Sequence, residues 1–443
     1  MKRLFSVGLL SIFTVLVSSA QPTGRLIVRV NGGLPVIQTV CLLAGCNVAE
    51  NIDGLIGQVF LVTTPASENV QSVLANLLSL TGVINVELDS VAHVADSGTA
   101  AIPPSLSDTA PEPYFGSTVP HGYLNQPATQ IVRLADMQTA FPTATGGGVV
   151  AVIDTGVDPD HPALKNVLLP GYDFTRNQNG ANETLDIHFP TPPVSANSQP
   201  EWVSGSGSGD LSQSTAAVVN QSTAAVVNGN PEYSDFGHGT MVAGVIHLVA
   251  PTAKILPLKA FHADGTGYNS DILRAIYLAV ERHANVLNMS FSLASYSQEI
   301  QSALNAGTLS GMVSVASAGN SGEDTLVYPA AYWNVLGIAS TSDNNQLSTF
   351  SNYGPQLVWV AAPGEGIITT YPFSTYAAAW GTSFSAPFTS GVASVLMGIN
   401  PLCDQISGAD STSHATPIGP NAGHGILDLY QAVRSWRQAA GLN

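Results

Sequence analysis

Five consecutive apolar residues, Val149, Val150, Ala151, Val152 and Ile153, run straight into an aspartate, Asp154. An apolar run without polar alternation is the pattern expected of a parallel strand buried on both faces, as in open α/β sheets. Ligands of such sheets bind outside the carboxyl ends of the strands, which is where Asp154 stands. Two later segments open helices. After His238, in GHGTMVAG, Val242, Val245 and Ile246 recur at helical spacing with small Ala243 and Gly244 between them. After Ser383, in GTSFSAP, an apolar and small-residue helix runs through Ala386, Val392, Val395 and Leu396, and Pro387 reads as a first-turn residue that removes no intrahelical bond.

Together with Asn320 in SAGN, these residues make up a chemical set: a carboxylate to orient a base, the base, a nucleophile and a donor for an oxyanion. Singly they carry little, since an Asp after a strand is more often a turn or cap residue and a glycine-flanked His is usually a loop feature. Their settings give them weight. A nucleophile that opens a helix has backbone N–H groups and the positive end of the helix dipole beside it. The order acid, base, nucleophile also differs from the His, Asp, Ser and Ser, acid, His orders of two other folds that use the same groups.

On these motifs, residues 126 to 435 resemble the catalytic domain of the subtilisin-like serine proteases, the subtilases. The resemblance implies a subtilisin-like three-layer α/β sandwich with a central, mostly parallel sheet, preceded by a small α/β propeptide-like domain. It implies a serine endopeptidase in which Ser383 attacks a peptide carbonyl, His238 moves the proton, Asp154 orients His238, and Asn320 with the Ser383 backbone N–H holds the oxyanion. LKAFHADGTGYNSDILRAI resembles the family's edge strand and following helix, so Gly265, Thr266 and Gly267 are expected to pair with an extended substrate. Ser290, Phe291 and Ser292, with Ala316, Ser317, Ala318 and Gly319, are the expected remaining walls of the groove. Two alternatives stay open: a serine-carboxyl peptidase of the sedolisin type, against which GHGT and Asn320 argue, and a catalytically inactive binding protein on a protease scaffold.

Some positions depart from the family pattern. Many subtilisins hold calcium with an Asp after the His-Pro pair and a loop after the His-bearing helix, whereas this chain has His161-Pro162-Ala163 and passes through Leu248 and Val249 directly to Ala250-Pro251. A hard cation needs several oxygen ligands. No metal site and no required cofactor are therefore expected, a weaker calcium site elsewhere being left open. Phe384 stands where many relatives have Met, and Ser292-Leu293 where Gly-Gly is common.

The rest of the chain suits an exported enzyme. Residues 1–20, with Met1-Lys2-Arg3, an apolar run from Leu4 to Val17 and then Ser18-Ser19-Ala20, read as a signal peptide. Residues 21–95 read as a propeptide-like inhibitor and folding aid, with strands at Arg25 to Val30, Gln58 to Thr63 and Val83 to Val91 and helical spacing through Val70, Val73, Leu74, Leu77 and Leu78. Residues 96–125, rich in Pro, Ser, Thr and Gly, read as an exposed linker suited to cleavage, and 126–443 as the peptidase domain. Within that domain 172–233 read as a surface insertion carrying a tandem octapeptide, QSTAAVVN at 213–220 and 221–228, too few copies for a solenoid. The three cysteines admit a local Cys41–Cys46 bridge, with Cys403 far downstream. Net charge is −17 because Lys and Arg are scarce, which speaks against nucleic-acid binding, and no later stretch is long enough to span a membrane. The expected partners are protein or peptide substrates and the chain's own propeptide; a secreted monomer is expected.

Overall fold

The computed structural model describes residues 24–94, 102–187, 217–218, 230–400 and 418–442. The signal-peptide reading, the glycine-serine run at 205–209, most of the octapeptide tandem and Cys403 lie outside the described residues. The chain divides into two compact units, one made of residues up to Asn51 with Ile56–Leu88, the other of Ile52–Leu55 with Asp89–Asn443.

The first unit is a four-stranded antiparallel sheet in the order Asn47–Asn51, Val59–Thr64, Gly24–Val30, Val83–Leu88, with two helices, Gly33–Ala44 and Val70–Ser79. Leu26, Val28, Val30, Phe60, Val62 and Val86 meet Val73 and Leu77 of the second helix in one core. Asn69 caps that helix by accepting from the N–H groups of Gln71 and Ser72, which have no intrahelical partner. A disulfide joins Cys41 to Cys46 across the end of the first helix, with Cα atoms 4.6 Å apart. The strand read from sequence as Val83 to Val91 is two strands. Val83–Leu88 stays in this sheet, and Val91–Val94 belongs to the second unit.

The second unit is built on an eight-stranded sheet. The strand Val149–Asp154 lies between Lys254–Lys259 and Val286–Met289, all parallel, and the sheet continues in parallel through Val313–Ser317, Val335–Thr341 and Val360–Pro363. Only the short Gln178–Asn179 edge runs antiparallel. The chain therefore goes to one side of Val149–Asp154 and later returns to the other, and the carboxyl end of that strand is a crevice where the topology switches. Two helices, His238–Val249 and Thr382–Ile399, are buried almost throughout; this is why their sequences are apolar and small on every face. Asn269–Glu281 and Gln298–Leu309 are amphipathic and bury one stripe each, such as Ile272, Leu273, Ala275, Ile276 and Ala279.

Two organisational readings need correction. Residues 102–125 are not an exposed linker: Pro111–Tyr114 and Ser117–Pro120 form a hairpin, and Leu106, Tyr114, Val119 and Tyr123 join the core of the second unit. Tyr114 and Tyr123 donate their hydroxyl hydrogens to the carbonyls of Leu248 and Gly244 in the His238 helix. Turn-rich composition concealed this, because the four anchors follow no period of 2 or 3.6. The first part of the 172–233 segment is likewise no surface excursion. Tyr172–Asp173 extends the central sheet beside Lys254–Lys259, and Asp173, Phe174, Glu183 and Ile187 are buried.

Candidate active site

Asp154, His238 and Ser383 come from three elements, and each is at most 1% exposed. Asp154 ends its strand, and its Oδ1 accepts from the Thr155 N–H at 2.8 Å and lies 2.7 Å from His238 Nδ1. That contact leaves Nε2 as the ring atom available to take a proton, and among the described residues Nε2 has no hydrogen-bond partner. Burial alone would lower the His238 pKa, but the Asp154 charge and hydrogen bond, with smaller contributions from Asp235 and Glu183, carry it above its ordinary value.

His238 opens its helix behind Gly237, which sits at φ 90° in the left-handed region open to glycine. A side chain at Gly239 would meet the carbonyl oxygen of Gly156 at 1.9 Å, so the turn after Asp154 presses directly on the helix's first turn. This close approach calls for glycine at 239, as the positive φ calls for it at 237.

Ser383 is the second residue of its helix, and the Phe384 ring lies 5.2 Å from the His238 ring, centroid to centroid. Its Oγ donates to the Ser290 carbonyl at 3.3 Å, not to His238. Pro387 lies beyond the first turn, contrary to the sequence reading, and the N–H it lacks is the one that would have bonded the Ser383 carbonyl. Ser290 Oγ donates to that carbonyl instead, at 2.9 Å, and itself accepts from Asn288 Nδ2. Ser290, expected only as a groove wall, thus also satisfies the carbonyl that Pro387 leaves open in the Ser383 helix.

Asn320 Oδ1 accepts from the backbone N–H and the hydroxyl of Thr382 at 2.9 and 2.8 Å, which fixes its amide with Nδ2 as the donor end. Thr382 Oγ1 in turn accepts from the Gly319 N–H. Ala316 and Ser317 end a central strand, and the Ala318 N–H donates to Ile338.

The expected groove walls are paired with a strand of the chain itself. Thr266, Gly267 and Tyr268 face His93, Ala92 and Val91 in antiparallel register, while Phe291 and Ser292 face Val94 and His93 on the other side. The Val94 N–H reaches the Gly265 carbonyl at 3.0 Å. Asp89 anchors the approach by accepting from the N–H and hydroxyl of Ser270. Strand addition of this kind uses main-chain bonds for affinity and side-chain pockets for selectivity.

One contributor was not read from sequence. Glu183, in the segment taken for an insertion, is fully buried against the His238 helix. Neither periodicity nor motif marks it.

Ala163 is buried beside Leu164, and the His238 helix ends at Val249 with no loop before Ala250. These residues do not fit the calcium site described for many subtilisins.

Residues 145–417 match the family model described as "Subtilase family". The chain is 31% identical to thermitase from Thermoactinomyces vulgaris over 298 residues, covering 67% of this chain and 92% of that one. It is 35% identical to subtilisin BL from Lederbergia lenta over 219 residues, covering 46% and 81% respectively. Among solved structures, fervidolysin from Fervidobacterium pennivorans aligns with a TM-score of 0.67 at 21% identity, over 93% of this chain and 61% of that one, a likeness of fold.

Proposed function

The chain belongs to the subtilase family and is a subtilisin-like serine endopeptidase, and from that premise we propose that it cleaves peptide bonds through an acyl-enzyme on Ser383. The observation that carries this reading is the buried Asp154–His238 pair, its ring packed on the residue next to Ser383. Ser383 Oγ attacks the carbonyl carbon, His238 Nε2 takes the hydroxyl proton and later passes it to the leaving amine, and Asp154 holds the tautomer and stabilises the imidazolium. Asn320 Nδ2 and the Ser383 N–H receive the oxyanion, with the helix N-terminus adding its dipole. In the resting arrangement Ser383 Oγ is held by the Ser290 carbonyl. A substrate N–H competing for that acceptor would release Oγ towards Nε2. Against the inactive-scaffold alternative stand the Asp154–His238 contact and the Thr382 bonds that hold Asn320 Oδ1. A fluorophosphonate is expected to label the matured protein once, on Ser383, as read by peptide mass mapping. Hydrolysis of casein by a protein that takes up no label there would sink the assignment.

The partners follow from the same site. Protein or peptide substrates would occupy the groove between Gly265–Gly267 and Ser290–Ser292 that Val91–Val94 fills. Residues before that strand are read as the propeptide, an intramolecular inhibitor. The enzyme is read as an exported monomer, with no nucleic-acid or membrane partner; the Cys41–Cys46 bridge suits an oxidising compartment, and among the described residues no helix is long and apolar enough to cross a membrane.

No metal is assigned a role. Because Ala163 brings no carboxylate, and the direct passage into Ala250 no loop, to the family's strong calcium site, a chelator is expected to change the Tm of the matured enzyme by less than about 2 °C. A large fall in Tm on chelation would overturn this, and calcium titration would then locate the site.

A further inference from the structure

Four hydrogen bonds converge on the carboxylate of Glu183. Its Oε2 accepts from Thr155 Oγ1 at 2.9 Å and from the Gly237 N–H at 3.0 Å; its Oε1 accepts from the Thr240 N–H at 3.0 Å and from the Thr240 hydroxyl. The two hydroxyls still have their hydrogens to give. Thr155 Oγ1 accepts from the Gly239 N–H and Thr240 Oγ1 from the Asp158 N–H, which leaves each hydroxyl hydrogen available to Glu183. Two N–H groups and two hydroxyls can thus all donate to Glu183, an arrangement that favours its ionised form against the burial that opposes it.

The placement bears on catalysis. Gly237 caps the His238 helix without a side chain of its own, and the first-turn N–H groups need outside acceptors. Glu183 satisfies two and Thr155, which it holds, a third. Thr155 directly follows Asp154 and donates its N–H to the Asp154 carboxylate.

We propose that Glu183 is a positioning residue for the catalytic pair, its carboxylate capping the helix that carries His238 and tying that helix, through Thr155, to the strand end that carries Asp154. The proposal rests on the assignment of Asp154 and His238 made above. It differs from a plain helix cap in predicting an effect on the His238 ring itself. The charged and titratable groups around Glu183 are Lys259, Asp154, His238 and Tyr371. Lys259, wholly buried, donates to the Thr155 and Phe261 carbonyls and to Asp186. Burial pushes the Glu183 carboxyl up to about 7, opposed by the Thr240 and Thr155 bonds and by Lys259.

Two preparations test this. In the full-length Ser383→Ala chain, NMR follows the ring proton that His238 shares with Asp154. Glu183→Gln is expected to weaken that signal and to move the ring's titration to lower pH, because a negative charge that favours the imidazolium is gone. In the matured active enzyme, Glu183→Gln is expected to lower kcat about 10- to 100-fold with KM within about twofold. The acid limb of kcat/KM should move to lower pH in step with the ring. Glu183→Asp keeps the charge but shortens the reach, so it should lower kcat and leave the acid limb in place. A fall in Tm with kcat, ring signal and both titrations unmoved would mean a structural cap only and would overturn the proposal. Activity retained by Ser383→Ala would strike the nucleophile assignment instead, and the ring titration in that same chain would still decide the role of Glu183.

Discussion

Ser383→Ala is expected to lower kcat by about 10⁶, to the level left by binding and the oxyanion donors; the size is borrowed from the same kind of replacement in a subtilisin. Asn320→Ala is expected to cost about 10²–10³ in kcat, again the subtilisin figure, with KM little changed. The two variants fail for different reasons. Without Ser383 no acyl-enzyme forms, whereas without Asn320 the chemistry is intact but the charge that develops only in the transition state loses a fixed donor. Thr382 makes the second result specific, because its N–H and hydroxyl hold Asn320 Oδ1 and so aim Nδ2 before substrate arrives. Steady-state kinetics on a chromogenic peptide measures both. Parental turnover in Ser383→Ala, or an Asn320→Ala effect confined to KM, would contradict the proposed roles.

The second large effect is expected in maturation. The wild-type chain should lose everything before a bond between residues 94 and 102, while the Ser383→Ala chain keeps its full pro-length. The window is set on one side by Val91–Val94, which occupies both walls of the groove, and on the other by Leu106, Tyr114, Val119 and Tyr123, whose core contacts the mature enzyme needs. Antiparallel pairing brings the chain into the groove as a substrate would enter, and the bonds it makes must be released before a foreign peptide can pair there. Intact-mass measurement with N-terminal sequencing distinguishes the outcomes. Equal masses for the two chains, with the wild type fully active, would mean that residues 24–94 are a permanent part of the enzyme.

Much of the site was legible because its chemistry is carried by local patterns. The run Val149–Ile153 reads as a strand buried on both faces, and that placed Asp154 at a carboxyl end without any knowledge of its neighbours. The apolar spacing after His238, and the apolar and small residues after Ser383, marked two helix starts. What escaped detection was carried by contacts between segments distant in sequence. Residues 102–125 had turn composition and no periodicity, yet Tyr123 reaches the Gly244 carbonyl 121 positions away. Pro387 looked harmless by its nearness to the helix start, and only the fold shows that it orphans the Ser383 carbonyl and that Ser290, 93 positions earlier, satisfies it.

By itself, then, the amino-acid sequence determined the α/β class and singled out the four residues proposed as catalytic groups and the expected edges of the groove, since strand burial, helix starts and nucleophile chemistry each depend on a few adjacent residues. Only the tertiary structure decided what aims those groups. A hydrogen bond has direction and a reach of about 3 Å, and the partners it selects, Glu183 for the His238 helix, Thr382 for Asn320 and Ser290 for Ser383, come from wherever folding brings a donor and an acceptor face to face.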